Sequence, residues 1–212
     1  MTSPLRLLRS PLAYALVLLA LGIGTASAQT TRPVAPATWT SVLASPRVTP
    51  VGGAAQGDVT IVEYFDYNCP DCRALDPKVR QLLASDPGVR VIRKDWPVFG
   101  DVSAYAAYCS YAAAKEGKYQ QAHDALITSK QDLDKKEDVQ SVMRAAGFDM
   151  NKIDADIARH QKEYSAIIDR NEHETAALGI KGTPGVVIGG QVVSGSIDYA
   201  RLVSLVAQAR KH

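Results

Sequence analysis

The sequence predicts an α/β fold: a strand–helix–strand unit, a long helical insertion, then a β-hairpin and a closing helix. Three observations predict it. Val59–Phe65 is a short β-branched and aromatic run that leads straight into a helical pattern. Residues 103–178 keep helical periodicity almost throughout. Gly189-Gly190 then separates two short apolar runs, the signal of a two-residue hairpin turn, because two consecutive residues at positive φ match the twist of paired strands.

From the N-terminus, Arg6 and Arg9 form a basic start, residues 12–23 are uncharged and apolar, and Ala26-Ser27-Ala28 is a small-residue cleavage pattern. This reads as a cleaved export signal over residues 1–28. Its apolar run is shorter than the roughly 20 residues that cross a bilayer as a helix, which argues against a retained anchor. Residues 29–57 are rich in Pro, Thr, Ala and Gly, with Trp39, Val42 and Leu43 as apolar anchors, and are expected to form an extended lead with one short helix or edge strand. The core is expected over 58–101 and 179–212, with the helical insertion over 102–178.

Within the core, the helix after the first strand starts near Cys69. It carries Leu75, Val79, Leu82 and Leu83 at helical spacing, is bent by Pro77, and stops before Asp86-Pro87-Gly88. Val89–Asp95 alternates as a second strand, giving a βαβ unit with parallel strands and a right-handed crossover, closed by Trp96-Pro97. The insertion fits four or five helices, broken at Gly117, at residues 129–134 and at Gly147-Phe148-Asp149, with Gly179 as the residue that turns the chain out of the last one. Residues 186–188 and 191–193 flank the Gly-Gly turn. A final amphipathic helix over about 198–210 carries Leu202, Val203, Leu205 and Val206.

The 212-residue chain has 24 Lys and Arg against 22 Asp and Glu. The surplus of two is the pair of arginines in the leader, so the remainder is neutral and nucleic acid is not an expected partner. Three cysteines are too few for a disulfide framework or a four-cysteine zinc site. Their arrangement is the informative part. Cys69 and Cys72 form a C-x-x-C pair where a strand meets a helix, while Cys109 lies in an apolar, alanine- and tyrosine-rich stretch and reads as a small buried hydrophobe.

The start of a helix offers unpaired N–H groups and the positive end of the helix dipole, both of which favour a thiolate. Cys69 is therefore read as the nucleophile, expected at the surface, and Cys72, one turn later and facing inward, as the residue that resolves a mixed disulfide. No second C-x-x-C is present, and His123, His160, His173 and His212 show no ligand spacing, so no metal and no cofactor are expected.

Tyr64-Phe65-Asp66-Tyr67-Asn68-Cys69-Pro70-Asp71-Cys72, followed after the insertion by Gly179-Ile180-Lys181-Gly182-Thr183-Pro184-Gly185, resembles the DsbA-like periplasmic thiol–disulfide oxidoreductases of the thioredoxin superfamily, from about Val51 to the C-terminus. The resemblance implies a thioredoxin-like fold interrupted by a helical domain. It also implies a cis Thr183-Pro184 bond facing the cysteine pair, with the backbone of Thr183 pairing to an extended substrate.

Glu63 interrupts an apolar strand six residues before Cys69, where an acid is costly unless partnered or used. In the resembled family the matching acid lies beneath the cysteines and handles the proton of the inner thiol, which implies a buried Glu63 with a raised pKa; Lys94, on the neighbouring strand, is the candidate partner. The dipeptide Pro70-Asp71 departs from the strong oxidants of that family, which commonly carry His there. A negative Asp71 works against the Cys69 thiolate, so a milder redox pair is expected.

The function so implied is disulfide exchange with exported polypeptides in the periplasm, by a monomer served by a membrane redox partner, either a quinone-linked oxidase or a reductant. Reductase or isomerase action in place of dithiol oxidation stays open, as does a thioredoxin-fold module that holds Cu(I) or acts as a chaperone without turnover. Soft thiolates suit Cu(I), but no Met or His stands near the pair to complete such a site.

Overall fold

The computed structural model describes residues 31–44, 51–54, 56–194 and 197–211. The export signal read over residues 1–28 lies outside the described residues. In chain order the elements are β1 (Thr31–Pro33), α1 (Pro36–Leu43), β2 (Val51–Gly53), β3 (Val59–Phe65), α2 (Pro70–Ser85), β4 (Val89–Asp95), α3 (Asp101–Lys115), α4 (Tyr119–Ile127), α5 (Lys136–Ala145), α6 (Met150–Ala177), β5 (Gly185–Ile188), β6 (Gln191–Ser194) and α7 (Tyr199–Ala209).

The six strands form one sheet in the order β1-β6-β5-β3-β4-β2. Central β3 runs parallel to β4 and antiparallel to β5, so the expected βαβ unit and hairpin meet on the two sides of one strand. All seven residues of β3 are buried, which is why its sequence is apolar on both faces instead of alternating. Gly189 and Gly190 make the β5–β6 turn at φ of 52° and 77°.

The segment expected to be an extended lead contributes more than that. Its first residues form β1, which caps one edge of the sheet on β6, and its last form β2, which caps the other edge on β4. Three-residue strands carry too little periodicity to be seen in a sequence; pairing with a ready-made edge creates them. Trp39 and Leu43 pack with Val42 of α1 on one face of the sheet, as expected of apolar anchors.

Strand alternation divides the sheet into two faces. On the front, Val59 and Ile61 of β3 and Val89 and Val91 of β4 meet Leu75 and Val79 of α2 and Leu202, Leu205 and Val206 of α7. On the back, Val62, Tyr64 and Ile92 meet Val42, Leu178 and Ile180. Each such fully buried aliphatic side chain contributes about 1.5–3 kcal/mol. Val203 departs from the expected apolar stripe of α7 and is exposed on its outer face. The helices α3 to α6 build a third cluster of their own, which reaches the sheet through Phe65, Tyr67, Cys69 and Cys72. The cysteine pair therefore sits on the seam between the sheet layer and the helical unit. Among the described residues no helix is long and apolar enough to cross a membrane.

Candidate active site

Cys69 is the N-cap of α2 and Pro70 its first helical residue, a position where the missing proline N–H costs nothing. The approach is fixed by side-chain bonds to the backbone. Asp66 Oδ1 accepts the N–H of Asn68 at 2.7 Å, and its Oδ2 accepts those of Val98 and Phe99 at 2.7 and 3.0 Å. Asn68 donates to Ser103 Oγ and to the carbonyl of Leu133, while Arg73 donates to the carbonyls of Tyr67 and Ser129. These bonds stitch the cysteine turn to α3 and to the loop after α4.

The Thr183-Pro184 bond is cis, and the Cys69 thiol donates to the carbonyl of Thr183 at 3.3 Å. The loop is held in place by close approach: a Cβ at Gly185 would lie 2.5 Å from Ile180 Cγ2, so only glycine fits there. That loop also covers the sulfur. Cys69 is 3% exposed, against the surface position expected from its place at a helix end, while Cys72 and Cys109 are fully buried. All three are free thiols.

The two thiols of the pair are driven apart in acidity. The Cys72 thiol, the first-turn amides of Cys72 and Asp71, and the Thr183 hydroxyl, which has no other partner among the described residues, favour an ionised Cys69 and outweigh burial, bringing its pKa from 9.0 to about 6. Cys72 moves strongly upward, because the same interaction holds its proton and because burial and the nearby charge of Glu63 disfavour a second thiolate. Burial likewise pushes Cys109 up to about 12.

Glu63 is 2% exposed on the front face of β3. Desolvation raises its pKa from 4.5 to about 7, Arg93 opposing and Asp76 adding to the rise. The expected partner, Lys94, is not there. The parallel register sets Glu63 beside Arg93 and Tyr64 beside Lys94, so alternation sends Lys94 to the back face, where its Nζ meets Glu174 Oε2 at 2.6 Å. Tyr64 donates to the same carboxylate. The cation on the Glu63 side is the buried Arg93, whose Nε lies 3.8 Å from Glu63 Oε2 and whose Nη2 lies 3.6 Å from Asp76 Oδ1.

Asp76, Arg93 and His123 extend this polar group and were not read from the sequence. Asp76 pairs with Arg80, which also reaches Asp124 at 2.9 Å near the surface, and its Oδ1 lies 3.4 Å from His123 Nε2. Burial alone would raise the Asp76 pKa, but His123, Arg80 and Arg93 together hold it below the usual range. Burial and the Arg93 charge hold His123 down at about 4, hence neutral at physiological pH. Asp76 had a readable signal, being an acid one helical turn beyond Cys72 on the inward face of α2. His123 had none, since only the packing of α4 brings it to the site. Pro70 and Asp71 stand at the first turn of α2, with Asp71 exposed. Among the described residues no group of three or more His, Cys, Asp and Glu could hold a metal ion.

Comparison with known proteins agrees with this geometry. A thioredoxin-like oxidoreductase from Silicibacter pomeroyi DSS-3 superposes with a TM-score of 0.76 at 35% identity, over 81% of this chain and 97% of that one. The catalytic domain of Proteus mirabilis ScsC superposes with a TM-score of 0.74 at 27% identity, over 83% and 97% of the two chains. Among curated sequences, the Na(+)/H(+) antiporter NhaA 3 of Salinispora tropica is 27% identical over 162 residues, 75% of this chain; the chain spans only 24% of that relative's length. Residues 60–207 match the DSBA-like thioredoxin domain family, and the chain belongs to that family.

Proposed function

We propose that the protein is a thiol:disulfide oxidoreductase that exchanges disulfides with exported polypeptides, with Cys69 as nucleophile and Cys72 as resolving residue. The observation that carries this reading is the placement of Cys69 at the N-cap of α2, beside Cys72 and 3.3 Å from the Thr183 carbonyl. In the oxidising direction a substrate thiolate attacks the Cys69 sulfur of the Cys69–Cys72 disulfide. Cys72 leaves as a thiolate and takes a proton, for which the Glu63 carboxyl is the buried source. A second substrate thiolate then attacks its own sulfur in the mixed disulfide, releasing the Cys69 thiolate and an oxidised substrate; two electrons have passed to the pair. The reducing direction is the reverse.

Thr183 and Pro184 form the substrate loop, the N–H and C=O of Thr183 pairing with an extended chain. Asp71 in the dipeptide makes the pair a mild one, and Glu63, with Arg93 and not Lys94 beside it, serves proton transfer. The core over 58–101 and 179–212 carries the chemistry and the 102–178 insertion roofs it. The basic and apolar leader supports export to the periplasm, where a monomer would be recharged by a membrane redox partner.

Insulin reduction by dithiothreitol tests the reading. Catalysed precipitation of the B chain, lost in Cys69→Ser, is expected; a Cu(I)-holding or chaperone module shows no turnover, and that result would overturn the proposal. Equilibration with glutathione buffers then gives the potential and with it the direction.

A further inference from the structure

Against the cysteine turn lies a cavity of about 470 Å³ lined by Asn68, Pro70, Arg73, Phe99, Val102, Asp132, Leu133 and Asp134. Two of its walls, Asn68 and Pro70, are the chain neighbours of the nucleophile, so a side chain next to a substrate cysteine enters it first. Phe99 and Val102 give it an apolar side, while Asn68, Arg73, Asp132 and Asp134 make the rest of the lining polar. Phe99 is 53% exposed, which is unusual for an aromatic ring, and it is held outward by construction, since Asp66 Oδ2 accepts the backbone N–H groups of Val98 and Phe99.

The mouth of the cavity is acidic. Asp132 and Asp134 are both exposed, and neither has an ion-pair or hydrogen-bond partner among the described residues. They lie on the loop between α4 and α5, whose position is fixed by bonds from Asn68 to the Leu133 carbonyl and from Arg73 to the Ser129 carbonyl. The one cation in the lining, Arg73, is tied into the wall by those bonds to Tyr67 and Ser129; it feels the charge of Asp132 without forming an ion pair with it, so two exposed carboxylates outnumber one part-buried guanidinium. An apolar side ending in two acids that outnumber the cation beside them matches a side chain with an aliphatic stem and a cationic head.

We propose that this cavity is a specificity subsite, taking a lysine or arginine adjacent to the substrate cysteine, with its stem on Phe99 and Val102 and its charge between Asp132 and Asp134. The inference rests on the disulfide-exchange reading above and names the polypeptides that react fastest.

The test uses the reduced full chain and two symmetric peptide disulfides, identical except for Lys or Glu next to the single cysteine. The Cys69 thiolate attacks one peptide sulfur and expels the other peptide as a thiolate. Cys72, losing its proton, then displaces the second peptide, so two electrons pass from the protein pair to the peptide disulfide and two peptide thiols appear. Rates of peptide-thiol release are measured at low and at high salt. With two exposed carboxylates, the Lys peptide is expected to react about five- to tenfold faster than the Glu peptide at low salt, with the ratio shrinking as salt rises. Replacing Asp132→Asn and Asp134→Asn together is expected to bring the ratio to near one. A ratio near one in the native protein, or one unchanged in the double variant, overturns the subsite and leaves disulfide exchange standing. No turnover of either peptide overturns both.

Discussion

Glu63→Gln is expected to stabilise the protein while slowing its chemistry. The carboxyl is almost fully buried on the front face of β3, and its pKa rises from 4.5 to about 7. A carboxyl whose folded pKa is raised destabilises the fold when it is ionised: the penalty is absent below the unfolded pKa of 4.5, grows between 4.5 and 7, and is complete above 7. Two and a half pH units correspond to roughly 3 kcal/mol at the upper end. Gln keeps the shape of the neutral acid and cannot ionise, so the variant should exceed the native protein by about that amount at pH 8 and match it near pH 4. Denaturant unfolding of the reduced protein at several pH values measures the difference. In stopped-flow single turnover, the same variant should slow release or resolution at Cys72 more than first attack at Cys69, because only the inner thiol depends on the buried acid. A stability difference that does not shrink as pH falls, or that favours the native protein at pH 8, would refute the assignment of Glu63 as an acid held neutral by burial. Identical kinetic traces across pH would remove it from the mechanism.

Brief iodoacetamide treatment should modify Cys69 alone, with a rate that rises through an inflection near pH 6, while Cys72 and Cys109 stay unlabelled; an inflection near 9 would contradict the thiolate geometry. At pH 7 a pKa lowered from 9.0 to about 6 favours the reduced form by about 1.4 kcal/mol, which raises the potential of the pair by about 30 mV, to be read in glutathione buffers. Asp71→His should move the same inflection down by about 0.7 pH units or more and raise the potential further, since it replaces a negative group at a helix N-terminus; an unchanged or higher inflection would refute a role for the dipeptide. Lys94→Met should cost up to about 3 kcal/mol in denaturant unfolding, because the buried Glu174 loses the cation at 2.6 Å and keeps only Arg170, at 3.8 Å. The Cys69 inflection should stay in place, because the pair lies on the far face of the sheet; a large change in it would contradict that separation.

Elements long enough to show a period were legible in the sequence. Val59–Phe65 and Val89–Asp95 stand where the patterns put them, as do α2, the helical run and the Gly-Gly hairpin. The short edge strands β1 and β2 were not, because their identity comes from the partner that each one meets. In the site, the cysteines and the Thr183-Pro184 loop come together, and Glu63 is buried, as the family resemblance implies; composition and periodicity alone did not require either. The error over Lys94 has a definite origin. Arg93 and Lys94 are adjacent cations on one strand, a shift of one residue exchanges the faces, and only the β3–β4 register chooses between them. His123 and Asp124 come from α4, about fifty residues after the pair in sequence, and no local pattern links them to Cys72.

The clamp on residues 181–184 has an entropic consequence. On one side Ile180 is buried on the back of the sheet; on the other Gly185 begins β5, and the two touch so closely that no side chain fits at 185. Only four residues span that gap, and fixing a backbone costs roughly 1–2 kcal/mol per residue. Folding has already met this cost, so an incoming strand finds the Thr183 amide and carbonyl preorganised and need order only itself. Loosening the clamp, by shortening Ile180 to Ala, would transfer part of that cost to every encounter and weaken the grip on all substrates alike, whatever side chain stands beside the reacting cysteine.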